Sequence, residues 1–327
     1  MTVGFTRARW GRGFTYRTTQ GETVTDIETR AWLKSLAIPP AWEEVEIAAD
    51  PDSEVLATGR DSAGRKQYIY HPDFRARQEE EKFARIVGFA ERLETMRRVT
   101  GQHLRREAGD RKLALACMVR LLDLAYFRPG NSHYEKENHS YGLTTMRSRH
   151  LTIEEDELIF HYQGKGGREQ ERHVVDARLA RVVAELDAIP GYRIFKYFDE
   201  DGQKVTVESQ DLNAYIKEVM GEEYSAKDFR TWAGTLLAAV ALDEMGLADD
   251  ENQAQARIRQ AVDQVAQRLG NTPAVARSSY IDPRVIVSYL DGRTASYFVE
   301  QIEQELERPE ELSVEEIGVL ALLKATL

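Results

Sequence analysis

Lys227-Asp228-Phe229-Arg230-Thr231-Trp232 is followed by Gly270-Asn271-Thr272-Pro273 and then by Arg277-Ser278-Ser279-Tyr280-Ile281-Asp282-Pro283. Upstream stand Tyr126-Phe127-Arg128-Pro129-Gly130, directly after an apolar run, and the glycine-rich Gly164-Lys165-Gly166-Gly167. These segments hold what breaking a phosphodiester through a protein tyrosine needs. Arg128 and Arg230 would meet the charge on phosphorus, because guanidiniums match the geometry of phosphate oxygens better than lysines do. Lys165 would protonate the departing oxygen, since an alkoxide leaves poorly. Tyr280 would be the nucleophile, provided nearby cations favour its anion.

The order of elements around these motifs is legible from patterning. In the first ninety residues, Phe14-Thr15-Tyr16-Arg17, Val45-Glu46-Ile47 and Lys66-Gln67-Tyr68-Ile69-Tyr70 alternate β-branched or aromatic residues with polar ones and read as strands. Turn signals at Gln20-Gly21, Asp50-Pro51-Asp52 and Asp61-Ser62-Ala63-Gly64 separate them. Ile38-Pro39-Pro40-Ala41-Trp42 reads as a stiff connector, because successive prolines exclude helix. A short helix is expected over Thr29–Leu36.

From about residue 75 the period changes. Arg77–Met96 reads as one helix, with Phe83, Ile86, Val87, Phe89 and Ala90 on its apolar stripe, and Leu113–Phe127 reads as a largely apolar helix. Leu158–Tyr162 and Glu171–Val175 flank the glycine-rich tip and predict a β-hairpin. The remainder to Leu327 reads as mostly helical, including the Glu-rich tail. The fold class expected is α+β: a small N-terminal antiparallel β-rich domain over 1–90 and a larger, mainly helical catalytic domain over 91–327 that carries the hairpin.

Composition bounds the partners. Net charge is −11, yet residues 91–150 hold twelve Lys/Arg against seven Asp/Glu, while Glu300–Glu316 holds eight Glu and one Arg. A polyanion feels the local field within a Debye length of roughly 8–10 Å, so acidic segments elsewhere are compatible with DNA as partner. The single Cys117 sits in an apolar run and excludes a disulfide framework. Residues 1–30 have no apolar core of a signal peptide, and Leu236–Leu242 is too short to span a bilayer. No membrane association is expected, and the location implied is cytoplasmic, with the nucleoid as its setting. The seven histidines are scattered; only His161 and His173 could meet across the hairpin, so no metal is expected.

The motifs, in this order and over nearly the whole chain, resemble the type IB DNA topoisomerases, in the small form of poxviruses and some bacteria. The resemblance implies the fold that this family shares with tyrosine recombinases. It also implies relaxation of supercoils of either sign, through a transient 3′-phosphotyrosyl link, without cofactor or ATP, by a monomer closing as a clamp on duplex DNA. It assigns Tyr280 as nucleophile, Arg128 and Arg230 as the phosphate clamp, Lys165 as general acid on the hairpin, and Lys227 as an aid to proton transfer. Asn271 is a departure: the family usually has His there, donating to a nonbridging phosphate oxygen. A neutral amide can still donate, but it should stabilise the transition state less.

Gln67, Tyr68 and Tyr70 resemble the strand that the family lays into the major groove, and Tyr134 resembles a tyrosine that touches the backbone near the cut. Strand alternation alone leaves Tyr68 and Tyr70 equally open to core packing. Two other readings stay open. A site-specific tyrosine recombinase shares the chemistry, but typically has His where Lys227 stands and a helical N-terminal part. A binding-only relative would retain the fold and form no covalent adduct.

Overall fold

The computed structural model describes residues 1–62, 64–302 and 311–326, apart from the side chains of His133, Tyr134 and Ile302. Much of the Glu-rich tail expected to be helical therefore lies outside the described residues. The chain divides into two compact units, Met1–Lys82 and Phe83–Leu327.

The first unit is built on β1 (Val3–Trp10), β2 (Gly13–Thr18), β3 (Glu43–Ala48), β4 (Val55–Arg60) and β5 (Lys66–Tyr70), with α1 (Ile27–Ser35) between β2 and β3. They form one antiparallel sheet in the order β2-β1-β3-β4-β5. Val24, Leu33, Ile38, Val45, Ile47 and Ala57 make its core. Asp26 caps α1 by accepting from the Thr29 N–H. The proline connector is fastened by Arg7, whose guanidinium donates to the carbonyls of Ile38, Pro39 and Trp42. Gly59 is required where β4 passes Trp42, since a Cβ there would lie 2.9 Å from the indole.

Two strands of this sheet were not expected. β1, Val3-Gly4-Phe5-Thr6-Arg7-Ala8-Arg9-Trp10, shows no run of buried positions, and β4 carries a glycine, so neither looks like a strand by alternation. The ladder on both sides holds them. In β5 the alternation does its work: Gln67 and Ile69 point to one face, Lys66, Tyr68 and Tyr70 to the other.

Two helices stand where one was expected over Arg77–Met96. α2 (Pro72–Ala84), which begins within the first unit, gives way at Arg85 to α3 (Ile86–His103). The interruption coincides with Arg284, which donates to the Phe83 carbonyl at 2.8 Å, and with Arg85, which pairs with Asp228. Then follow α4 (Arg111–Ala125), α5 (Ser132–Asn138), the sheet β6 (Leu151–Glu154), β7 (Glu157–Gln163) and β8 (Glu169–Val175), and α6 (Ala177–Ala188). A small hairpin, β9 (Lys196–Phe198) and β10 (Lys204–Thr206), interrupts the stretch expected to be helical. The rest is α7 (Ser209–Met220), α8 (Ala226–Met245), α9 (Glu251–Leu269), α10 (Pro273–Ser279), α11 (Pro283–Leu290), α12 (Ala295–Ile302) and α13 (Val314–Ala325).

α4 is the axis of this unit. From Leu113 to Leu122 all but Arg120 are buried, and it packs against α3, α6, α7, α8 and β8. A helix apolar on every side belongs at the centre of a bundle. Its position sets the site, because Arg128 stands three residues beyond its end.

Candidate active site

Two helix ends converge. α4 ends at Tyr126, a C-cap with φ of 59°, in the left-handed region that a non-glycine residue rarely adopts. That twist presents the Tyr126 carbonyl to Arg230, whose Nη1 donates to it at 2.6 Å. α9 ends at Gly270, with φ of 64°. Its last carbonyls turn to the same place: Leu269 O accepts from Arg230 Nη2 at 2.9 Å, and Gly270 O accepts from Arg128 Nη2 at 3.1 Å. Carbonyls at a helix C-terminus lack partners within the helix and carry its negative end, so they suit a guanidinium.

Each letter of the two motifs has a duty. In Lys227-Asp228-Phe229-Arg230, Asp228 reaches back to accept from the Ser225 N–H and hydroxyl and so fixes the start of α8. Phe229 enters the core, Lys227 stays exposed, and Arg230 is 2 % exposed at the site. In Gly270-Asn271-Thr272-Pro273, Gly270 closes α9, Thr272 caps α10 and Pro273 opens it. Asn271, held between the two helices, accepts from Arg128 through Oδ1.

Neither Arg128 nor Arg230 forms an ion pair with a described carboxylate; their partners are carbonyl and amide oxygens. Burial, and next the charge of Arg230, pull Arg128 down to about 10, so it is still charged at neutral pH. Buried side-chain nitrogens without a partner among the described residues number four, and Arg230 Nε, Asn271 Nδ2 and Arg172 Nε are three of them. Leaving such donors unpaired is costly unless a ligand completes them. They point to an anion.

Tyr280 completes the cluster. The Arg230 guanidinium lies 5.0 Å from the centre of its ring. Burial raises the phenol, but Arg230, Arg128 and Lys227 together outweigh it, and its pKa falls below the ordinary value. The backbone at Tyr280 is braced from α8, where Thr235 Oγ1 donates to its carbonyl at 3.3 Å. Gly234 permits that approach, since a Cβ there would sit 2.5 Å from the Tyr280 oxygen.

Lys165 stands outside this cluster. It occupies the exposed turn Lys165–Gly167 between β7 and β8, where Gly166 and Gly167 have φ of 77° and 72°, and it has no hydrogen bond or ion pair to a described residue. The tip is thus a hydrogen-bonded turn that presents an exposed cation. His161 and His173 do not face each other: His161 pairs with Glu171 and His173 with Ile159 in the ladder, and His173 is bonded to Glu157 and Glu171. Among the described residues no group of three or more His, Cys, Asp or Glu could hold a metal.

The family described as "Eukaryotic DNA topoisomerase I, catalytic core" matches residues 71–305. The chain belongs to the type IB DNA topoisomerases. The "Bacterial DNA topoisomerase IB, N-terminal domain" family matches residues 13–61. A DNA topoisomerase 1B of Acanthamoeba polyphaga mimivirus is 31% identical over 266 residues, covering 79% of this chain and 78% of the viral protein. The DNA topoisomerase 1B of Vaccinia virus (strain Copenhagen) is 26% identical over 140 residues, 41% of this chain and 44% of its own length.

In this type IB chain the residues expected to touch DNA divide. Tyr68 and Tyr70 are 46% and 39% exposed, and their rings stack at 5.8 Å, so they are not core. Gln67 lies on the opposite face, with its amide donating to Asp61 at 2.9 Å. The Tyr134 side chain lies outside the described residues. Sequence reasoning missed Tyr126, Gly234 and Thr235. Gly234, a glycine inside an otherwise regular helix, was the signal available. No helix is long and apolar enough to cross a membrane among the described residues.

Proposed function

We propose that this topoisomerase relaxes positively and negatively supercoiled duplex DNA by transient cleavage of one strand. Tyr280 attacks the scissile phosphorus, forming the Tyr280 Oη–P bond as the P–O5′ bond breaks. The product is a 3′-phosphotyrosyl ester and a 5′ hydroxyl. The ester conserves the energy of the broken bond, so ATP is not required; the cut strand turns about the intact one and the 5′ hydroxyl re-attacks.

Arg128 and Arg230 neutralise the nonbridging oxygens, and the free Asn271 Nδ2–H donates to one of them. Preorganised donors of this kind act where charge grows in the transition state and need no rearrangement there. Lys165, swinging in on the hairpin tip, gives its proton to the 5′ oxygen. Lys227 lowers the phenol further and assists its deprotonation. No step calls for an obligatory metal, because guanidiniums supply the positive charge. The N-terminal unit contributes the stacked Tyr68 and Tyr70 to the groove, and a monomer closes around the duplex in the cytoplasm.

The observation that carries this reading is the Tyr280 phenol against Arg230, a buried guanidinium held by two carbonyls and by no described carboxylate. The test uses negatively supercoiled plasmid in excess EDTA without ATP. Relaxation by the parent and none by Tyr280→Phe is expected. Absence of relaxation by the parent, with no covalent adduct on DNA, overturns it.

A further inference from the structure

β8 brings a third guanidinium to the same place. The ladder pairs Phe160 with Arg172 and Tyr162 with Gln170, so these four share one face of the hairpin. That face turns inward, where Phe127 meets Phe160 at 5.1 Å and Tyr162 at 5.8 Å. Gln170 is the link to the site. Its side chain fills the space beside Gly270, where a Cβ would lie 2.3 Å from Gln170 Oε1, and the same Oε1 accepts from Arg172 Nη2 at 2.8 Å.

Arg172 Nη1 donates to the Glu171 carbonyl at 3.1 Å, and its Nε is buried with no partner. It forms no ion pair with a described carboxylate. Burial depresses its pKa, Tyr162 opposes the shift, and the fields of Arg230 and Arg268 add to it; Arg128 feels Arg172 in turn. A surface arginine in an acidic chain would find an acid. This one is fixed by an amide beside a cluster that already holds two cations and a free amide donor.

We propose that Arg172 is a third phosphate-binding residue of the cleavage centre, its Nε–H donating to a nonbridging oxygen of the scissile phosphate as negative charge grows there. The inference rests on the reading above, in which that phosphate is the target of Tyr280. It gives the hairpin two parts: the tip carries the proton donor, and strand β8 carries a fixed counter-charge in place of one that a neutral Asn271 does not supply.

The test is single-turnover covalent capture of an oligonucleotide duplex whose cleaved end dissociates, with the parent and Tyr280→Phe run alongside. Arg172→Ala is expected to slow adduct formation roughly a hundredfold, with duplex affinity and melting temperature close to the parent's. Arg172→Lys should recover part of the rate, and Gln170→Ala, which frees the guanidinium, should lose several-fold. The deciding arm replaces the scissile phosphate by a neutral methylphosphonate. In the diastereomer whose methyl replaces the oxygen that Arg172 meets, no charge grows at that position, and parent and Arg172→Ala should then cleave within a few-fold of one another.

A variant that cleaves the natural duplex at the parent's rate overturns the proposal. So does a deficit that persists on both methylphosphonate diastereomers, or one that disappears only when a flanking phosphate is neutralised. If Arg172→Ala does not fold, Arg172→Lys is read in the same two substrates. A parent that forms no adduct would fault the reading of Tyr280 instead.

Discussion

The catalytic unit buries arginines in two ways. Arg97 is gripped by carboxylates: Asp123 at 2.9 and 3.0 Å and Glu316 at 2.7 Å through each of its oxygens. That network ties α3, α4 and α13 together, and its pairs push the Arg97 pKa upward despite burial. Arg128 and Arg230 are gripped by carbonyls and an amide, and Arg128 is pulled down. The same side chain thus serves opposite ends. A guanidinium whose charge is cancelled within the fold is structural, and one whose charge is left standing awaits an anion.

Substitution of one arginine from each set gives the largest contrast. Arg230→Ala should cut covalent adduct formation by roughly 10²–10³ while changing stability by less than about 2 kcal/mol. Arg97→Ala should do the reverse, costing about 3–5 kcal/mol because two buried carboxylates lose their shared guanidinium, Asp123 keeping Arg120 and Glu316 keeping only Ser313 and Trp232, with the cleavage rate of the folded fraction unchanged. Adduct kinetics and denaturant unfolding on both variants measure it. Equal losses of rate and stability in each would erase the distinction.

A smaller effect is expected where the sets share a helix. Gly234→Ala must push Tyr280 from α8, so adduct formation should fall about tenfold or more and stability by roughly 1–3 kcal/mol. Full activity would mean that the nucleophile is not held there. Acid should then separate the two sets. Burial raises the Glu316 carboxyl, but Arg97, Ser313 and Trp232 outweigh it and leave its pKa below the ordinary carboxylate value. Its contribution is therefore present above an unfolded value of about 4.3 and is lost as pH falls through the lower folded value. Glu316→Gln should be less stable at neutral pH, and its unfolding free energy should fall less steeply below about pH 4 than the parent's.

The smallest effect concerns Tyr280 itself. With its phenol depressed, adduct formation should rise with pH and level off below about 10. Lys227→Ala should move that midpoint upward only slightly, because Lys227 is exposed and is the last of the three cations acting on it. A midpoint that does not move would confine the tuning to the arginines.

The parts legible in the sequence are those where local chemistry and long-range role coincide. Gly270, Thr272 and Pro273 are helix-end residues that any reader of caps would mark, and they happen to frame Asn271. Ser225 and Asp228 do the same for Arg230. β5 was legible to the residue because its alternation is strict, and that strictness is why Gln67 had to part from Tyr68 and Tyr70. The rest depends on contacts distant in sequence. Nothing near Phe83 announces that Arg284 will interrupt its helix, and nothing near Tyr126 announces a carbonyl turned toward Arg230. Arg172 looks like any outward strand residue until Gln170 meets Gly270, a hundred positions on.

Leu269 and Gly270 offer successive carbonyls, one to Arg230 and the other to Arg128. Both cations therefore take their bearings from a single peptide step at the end of α9. A displacement there is felt by both, although Arg230 keeps its bond to Tyr126 and Arg128 its bond to Asn271. Torque that reached this helix end through bound DNA would loosen both grips at once, making strand cutting and resealing answer to mechanical load in unison.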